Sequence, residues 1–135
     1  MIHRALNIGH WTIDFLFAVR YYDIEGVLAC LHEVNTPPEI VDRAMEIMES
    51  DRLNCGFTYS NSYLKRAVCV VGPTSSGEEF INSFVHETRH VADAIARSIG
   101  YKLDGEFPAY VSGDAAMSLA EVVCELGCEH CRGVK

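Results

Sequence analysis

The sequence contains no continuous apolar run of about 18 residues, the shortest length that predicts a membrane-spanning helix. The stretch from Met1 to His10 also lacks the basic and then apolar layout of a secretory signal peptide. Positive charge is scarce, with 11 Lys and Arg against 19 Asp and Glu and a net charge of −8. Because nucleic-acid backbones bind basic surfaces, this balance argues against such a partner. We therefore expect a cytoplasmic protein with no membrane or nucleic-acid partner.

The chain has six cysteines in 135 residues. Without an export signal, the default expectation is that these thiols stay reduced and form no disulfide framework. The length fits one domain, residues 1–135, with a hydrophobic core of its own.

The motif H-E-x-x-H is present as His86, Glu87 and His90. On a helix, residues four apart lie one turn above each other on the same face. Both imidazoles can then reach a single tetrahedral zinc ion. Glu87 would act as the general base that takes a proton from the zinc-activated water. The same short pattern also arises by chance, and a histidine pair can simply form a polar helix face.

The residues around the motif predict a helix. Ser75 or Ser76 can serve as its N-cap, and Gly100 can end it. Its apolar residues recur at the spacing of one helical face; they are Phe80, Phe84, Val91 and Ile95.

A catalytic zinc site needs a third protein ligand and keeps its fourth position open. We predict Glu106 for this role, with Asp104 as the alternative, if a helix that begins near them folds back across the motif helix. Both carboxylates could instead serve only as helix caps. Tyr110 lies four residues after Glu106 and hence on the same face, where its hydroxyl could stabilise a developing oxyanion. Its alternative role is that of an amphipathic core residue.

The remaining patterns predict an α+β fold with a small antiparallel sheet of about three strands packed with helices, the motif lying on the central helix. Segments 57–60 and 66–72 predict a hairpin. Asp51 to Gly56 predicts a turn-rich connection. Segment 66–72 is either an edge strand that could bind an extended peptide or an ordinary core strand. The other predicted elements are a strand over 11–22 and helices over 24–34 and 39–50.

A last helix is predicted over 114–132, and it carries three of the six cysteines. Cys124, Cys128 and Cys131 would share one face of that helix, close to His130. Three thiolates and an imidazole could bind a second, structural zinc ion or an iron–sulfur cluster. The alternative is that the cysteines are small buried apolar residues. Cys30, Cys55 and Cys69 show no metal-binding spacing.

The order His86-Glu87-x-x-His90 followed by Glu106-x-x-Ala109-Tyr110 resembles the small zincin-like metallopeptidases encoded by phages and mobile elements. It is also similar in plan to short peptidases of such elements that cleave repressors. The resemblance covers about two-thirds of the chain, its centre and C-terminal part. It implies that His86, His90 and Glu106 hold zinc, that Glu87 is the base, and that peptide bonds are the substrate.

Two functions of different classes follow. The first is a zinc-dependent metallopeptidase that acts on a peptide or protein substrate. The second is a non-catalytic, zinc-stabilised binding module of a phage or mobile element. A third possibility is a small α+β domain in which the motif is accidental and no zinc binds.

Overall fold

The computed structural model describes residues 1–50 and 56–133. Over these residues the chain is α+β, with four strands and six α-helices. A single 3₁₀ turn, Tyr21–Asp23, leads into the first helix. The predicted turn-rich connection from Asp51 to Gly56 lies, over residues 51–55, outside the described part of the chain. The elements are β1 (Ile2–Ile8), β2 (Trp11–Phe17), α1 (Ile24–Glu33), α2 (Pro38–Glu49), β3 (Phe57–Asn61), β4 (Arg66–Val71), α3 (Gly77–Ser98), α4 (Glu106–Ser118), α5 (Ala120–Gly127) and α6 (Glu129–Gly133).

The sheet is mixed and four-stranded, with the order β1-β2-β4-β3, rather than antiparallel with about three strands. The additional strand is β1, which pairs antiparallel with β2, and β2 pairs parallel with β4. The predicted hairpin is confirmed, since β3 and β4 are antiparallel with Phe57 opposite Val70 and Asn61 opposite Arg66. The predicted strand over 11–22 ends earlier, at Phe17. Strand β4 is therefore a central strand, and β3 lies at an edge.

Helices cover both faces of this sheet, and alternate residues of the central strands serve the two faces. Leu16 and Val70 point to the layer formed by α1 and α2. Phe15 and Phe17 point to the opposite layer, which contains α3, α4 and α5. Because both faces are covered, β2 and β4 are almost continuously apolar.

Two phenylalanines of α3 pack against two phenylalanines of β2. Phe17 lies with its ring centroid 6.0 Å from those of Phe80 and Phe84, which are themselves 5.7 Å apart. Phe15 stacks on Phe17 at 5.9 Å. Such contacts fix the rotation of α3 about its axis, and this rotation decides which side of the motif faces solvent.

The C-terminal region is three short helices instead of the single predicted helix over 114–132. The breaks fall at Leu119, which is buried, and at Cys128, which has extended backbone. Consequently, Cys124, Cys128 and Cys131 do not lie on one continuous helical face. No helix among residues 1–50 and 56–133 is long and apolar enough to cross a membrane.

Candidate metal and catalytic site

Helix α3 begins and ends close to the predicted residues. The Ser76 side chain is the N-cap and accepts a hydrogen bond of 3.1 Å from the backbone N–H of Glu79. Glu78 and Glu79 occupy the first turn, where carboxylates favour the positive end of the helix dipole. The helix ends before Gly100, whose φ of +80° is readily adopted only by glycine.

The two motif histidines form a pair on the outer side of α3. The Nε2 atoms of His86 and His90 lie 3.2 Å apart. A zinc–nitrogen distance of about 2.05 Å places two ligands of a tetrahedral ion about 3.3 Å apart. The imidazole pair therefore matches one edge of a zinc tetrahedron. Both side chains are exposed, that of His86 to 65%.

Glu87 follows His86 in the same helical turn, on the side of α3 that faces the sheet, and is only 3% exposed. Its Oε1 accepts a hydrogen bond of 3.0 Å from the Thr58 hydroxyl on β3. Its Oε2 lies 4.0 Å from His86 Nε2. Burial raises the pKa of Glu87 above its ordinary value, while the Thr58 hydrogen bond and the two imidazoles oppose the rise. One carboxylate oxygen is thus held by the sheet, and the other faces the histidines.

Gly56 allows the backbone to approach this carboxylate. Its φ is +62°, and a Cβ there would lie 2.6 Å from the Val70 carbonyl oxygen and 3.3 Å from Glu87 Cγ. Any other residue would collide with β4 and crowd Glu87, so glycine at the start of β3 is a packing requirement of the site.

A cavity of about 390 Å³ lies beside the histidines and is lined only by residues of α3. Its one carboxylate is Asp93, at i+3 from His90 and i+7 from His86, where it forms an ion pair of 2.7 Å with Arg89. The sequence reasoning missed Asp93, although its spacing on the helix would have identified it. The six lining residues are Asn82, Val85, His86, Arg89, His90 and Asp93.

The predicted third ligand lies elsewhere on the surface. Glu106 is exposed in the first turn of α4, and neither it nor Asp104 lines the histidine cavity. The predicted Asp104 cap is wrong, because Gly105 is the N-cap and no side chain caps this helix. Arg89 donates a hydrogen bond of 2.6 Å to the Leu103 carbonyl, which attaches the segment before α4 to the residue next to His90. Over residues 1–50 and 56–133, no three His, Cys, Asp or Glu side chains form a group arranged to hold a metal ion.

Tyr110 is 67% exposed and also lies outside the histidine cavity. It lines a different, mostly apolar cavity of about 310 Å³, together with Trp11, Ile95 and Ile99. Ile95 and Ile99 are at least one further turn along α3 from His90. The structure therefore separates Tyr110 from the histidine pair.

No protein-family model, no curated protein and no solved structure matches this chain.

Proposed function

We propose that the protein is a zinc-dependent metallopeptidase that hydrolyses peptide bonds in a peptide or protein substrate, in the cytoplasm. The observation that carries the proposal is the 3.2 Å separation of the two imidazole Nε2 atoms beside a buried carboxylate. An N–H···N hydrogen bond between the two imidazoles gives the same separation, and a zinc ion bound to both rings would replace it.

His86 and His90 would hold the ion, with Glu106 as the proposed third ligand. When bound, zinc supplies a Lewis acid that polarises the scissile carbonyl and lowers the pKa of water to about 7. Glu106 would have to approach the histidines, and the Arg89–Leu103 hydrogen bond keeps its segment attached to α3 beside them.

Glu87 has the arrangement of a general base. The Thr58 hydroxyl fixes Oε1 and leaves Oε2 on the side of the histidines, within reach of the water that attacks the peptide carbonyl. Burial makes this carboxylate a stronger base than an exposed glutamate. In the proposed mechanism, Glu87 takes the proton from the water and delivers it to the leaving amine.

The edge position of β3 suggests how a substrate lies. In the described sheet β3 pairs only with β4, and Thr58 of β3 contacts Glu87 directly. An extended peptide added along this edge would run past the catalytic carboxylate and receive main-chain hydrogen bonds from β3. This assigns the peptide-binding role to β3 instead of β4.

One observation favours a second candidate, the non-catalytic zinc-stabilised binding module. The histidine cavity is lined by a single helix and is therefore shallow. A carboxylate or imidazole from a partner protein could complete the coordination there, and the zinc would join the two proteins without hydrolysis.

The Glu87→Gln variant separates these functions. If the protein is a peptidase, the variant keeps its zinc but loses about 10²–10⁴-fold in kcat on a library of fluorescence-quenched peptides. If the protein is a binding module, neither the wild type nor the Glu87→Gln variant cleaves a peptide, and both contain the same amount of zinc. His32→Ala, at an exposed histidine on α1, is the matched control and should change neither quantity. Cleavage retained at the wild-type rate in Glu87→Gln would exclude the proposed base.

A further inference from the structure

The α5–α6 region brings two thiols into contact and places a third close to them. Cys124 Sγ lies 3.9 Å from Cys131 Sγ, although the two residues are on different helices. The Cys128 sulfur lies close enough to the Cys131 thiol for the two groups to shift each other's pKa in opposite directions. None of the three is buried; Cys124 is exposed, and Cys128 and Cys131 are partly exposed. The alternative that these cysteines are buried apolar residues is therefore wrong.

Cys128 and Cys131 have the spacing of a C-x-x-C dithiol, with Glu129 and His130 between them. Donation from the Cys131 backbone N–H, the Cys131 thiol and the His130 backbone N–H lowers the pKa of Cys128. The hydrogen bonds to Cys128 and Cys124 raise the pKa of Cys131 to about 11. Of these two thiols, Cys128 therefore ionises first, and Cys131 keeps its proton beside it.

Contacts with the start of α3 hold this arrangement in place. Glu129 accepts a hydrogen bond of 2.5 Å from the Gly77 backbone N–H. The Arg132 guanidinium donates to the Thr74 carbonyl at 2.5 Å and to the Leu126 carbonyl at 2.6 Å. Gly77 leaves room for this docking, because a Cβ there would collide with the Gly127 carbonyl. The thiols therefore meet on a docked element and not on a free chain end.

We propose that Cys124, Cys128 and Cys131 form a thiol oxidation site that reacts with hydrogen peroxide, Cys128 attacking first and Cys131 closing a disulfide. The Cys128 thiolate attacks one peroxide oxygen, the O–O bond breaks, and the hydroxide that leaves is protonated to water. The resulting sulfenic acid is attacked by the Cys131 sulfur, so that the S–O bond breaks, the S–S bond forms, and the second water carries away the Cys131 proton. In sum, two thiols are oxidised and one peroxide is reduced to two waters.

Cys124 gives the site a second possible disulfide. Because Cys131 Sγ lies 3.9 Å from Cys124 Sγ, thiol–disulfide exchange can transfer the Cys131 bond from Cys128 to Cys124 and release the Cys128 thiol. The two buried thiols are an internal reference, since Cys69 is fully buried with a pKa raised to about 12, and burial also raises the pKa of Cys30. We expect both to stay reduced under the same conditions.

The test is stepwise treatment of the metal-free protein, residues 1–135, with hydrogen peroxide, followed by alkylation and mass spectrometry. Cleavage after Glu125 and Glu129 separates the three cysteines into different peptides. We expect a disulfide between the peptides of Cys128 and Cys131, or of Cys124 and Cys131, that dithiothreitol reverses. Oxidation of Cys30 or Cys69 at an equal rate would contradict the proposal, and so would thiols that resist peroxide.

Three serine variants sharpen the assignment. Cys128→Ser should lower the rate of disulfide formation about tenfold, because it removes the thiol whose pKa is lowered. Cys131→Ser should abolish the intramolecular disulfide and leave a sulfenic acid on Cys128 that a cyclic 1,3-dione traps. Cys124→Ser is the matched control and should still form the Cys128–Cys131 bond. An unchanged rate in Cys128→Ser would overturn its role as the attacking thiol. None of these readouts depends on zinc or on peptide hydrolysis.

Discussion

The two sides of helix α3 have opposite characters. The inner side carries Phe80, Phe84 and Glu87, all 3% exposed or less, against the sheet. The outer side carries His86 and His90, both exposed to solvent above a shallow cavity. Packing determines the inner side, whereas neither histidine belongs to the buried core of the described residues. The buried side of the motif therefore stabilises the fold, and the proposed function uses the exposed histidines, with Glu87 serving both.

The largest expected effect tests the inner side. Phe84→Ala removes a ring packed against Phe17 and Phe80, and should lower the free energy of unfolding by about 3–5 kcal/mol. Val85→Ala, the next residue but 58% exposed, should change it by less than about 0.5 kcal/mol. Urea denaturation followed by circular dichroism measures both. Equal losses in the two variants would mean that α3 is not rotated as described.

The hydrogen bond from the Thr58 hydroxyl supports Glu87, the residue that belongs to both sides of α3. Thr58→Val leaves the buried Glu87 carboxylate without its hydroxyl donor, and should cost about 1–3 kcal/mol of stability. It should also lower kcat without changing zinc content, because the carboxylate loses its fixed orientation. Thr12→Val, which removes a hydroxyl bond on an exposed strand surface, is the control. A stable Thr58→Val protein with the wild-type kcat would show that Glu87 needs no such support.

The smallest expected effect concerns the start of the helix. Ser76→Ala removes the N-cap bond to the Glu79 N–H and should lower stability by about 1 kcal/mol, affecting both sides of α3 equally. Ser83→Ala, inside the same helix, should be neutral or slightly stabilising. Thermal unfolding compares the two variants. A melting temperature for Ser83→Ala below that of Ser76→Ala would contradict the assigned cap.

Local patterns predicted α1, α2, α3 and the hairpin, but not the division of the C-terminal region into α4, α5 and α6. Apolar spacing with a serine cap and a terminal glycine placed α3, and adjacency in the chain placed β3 against β4. The missed strand, Ile2–Ile8, packs Ile2, Leu6 and Ile8 on the core, but its apolar alternation is interrupted at the exposed Arg4. The parallel pairing of β2 with β4 joins segments far apart in sequence, which periodicity does not encode.

The same distinction between local spacing and long-range packing applies to the candidate site. Spacing of four on a helix was enough to predict that His86 and His90 converge. The positions of Glu106 and Tyr110 depend on how α4 crosses α3, and this crossing is determined by packing of Phe107 and Val111 rather than by the polar residues. The burial of Glu87 similarly depends on β3, which no motif specifies.

The most direct test of the proposed metal site is the zinc content of the purified protein, residues 1–135, by elemental analysis, with a His86→Ala/His90→Ala double variant and the His32→Ala control. The account predicts one zinc per chain in the wild type and the control, and none in the double variant. A wild-type protein without zinc after purification in zinc-containing buffer, or a double variant that keeps it, would contradict the proposed metal site.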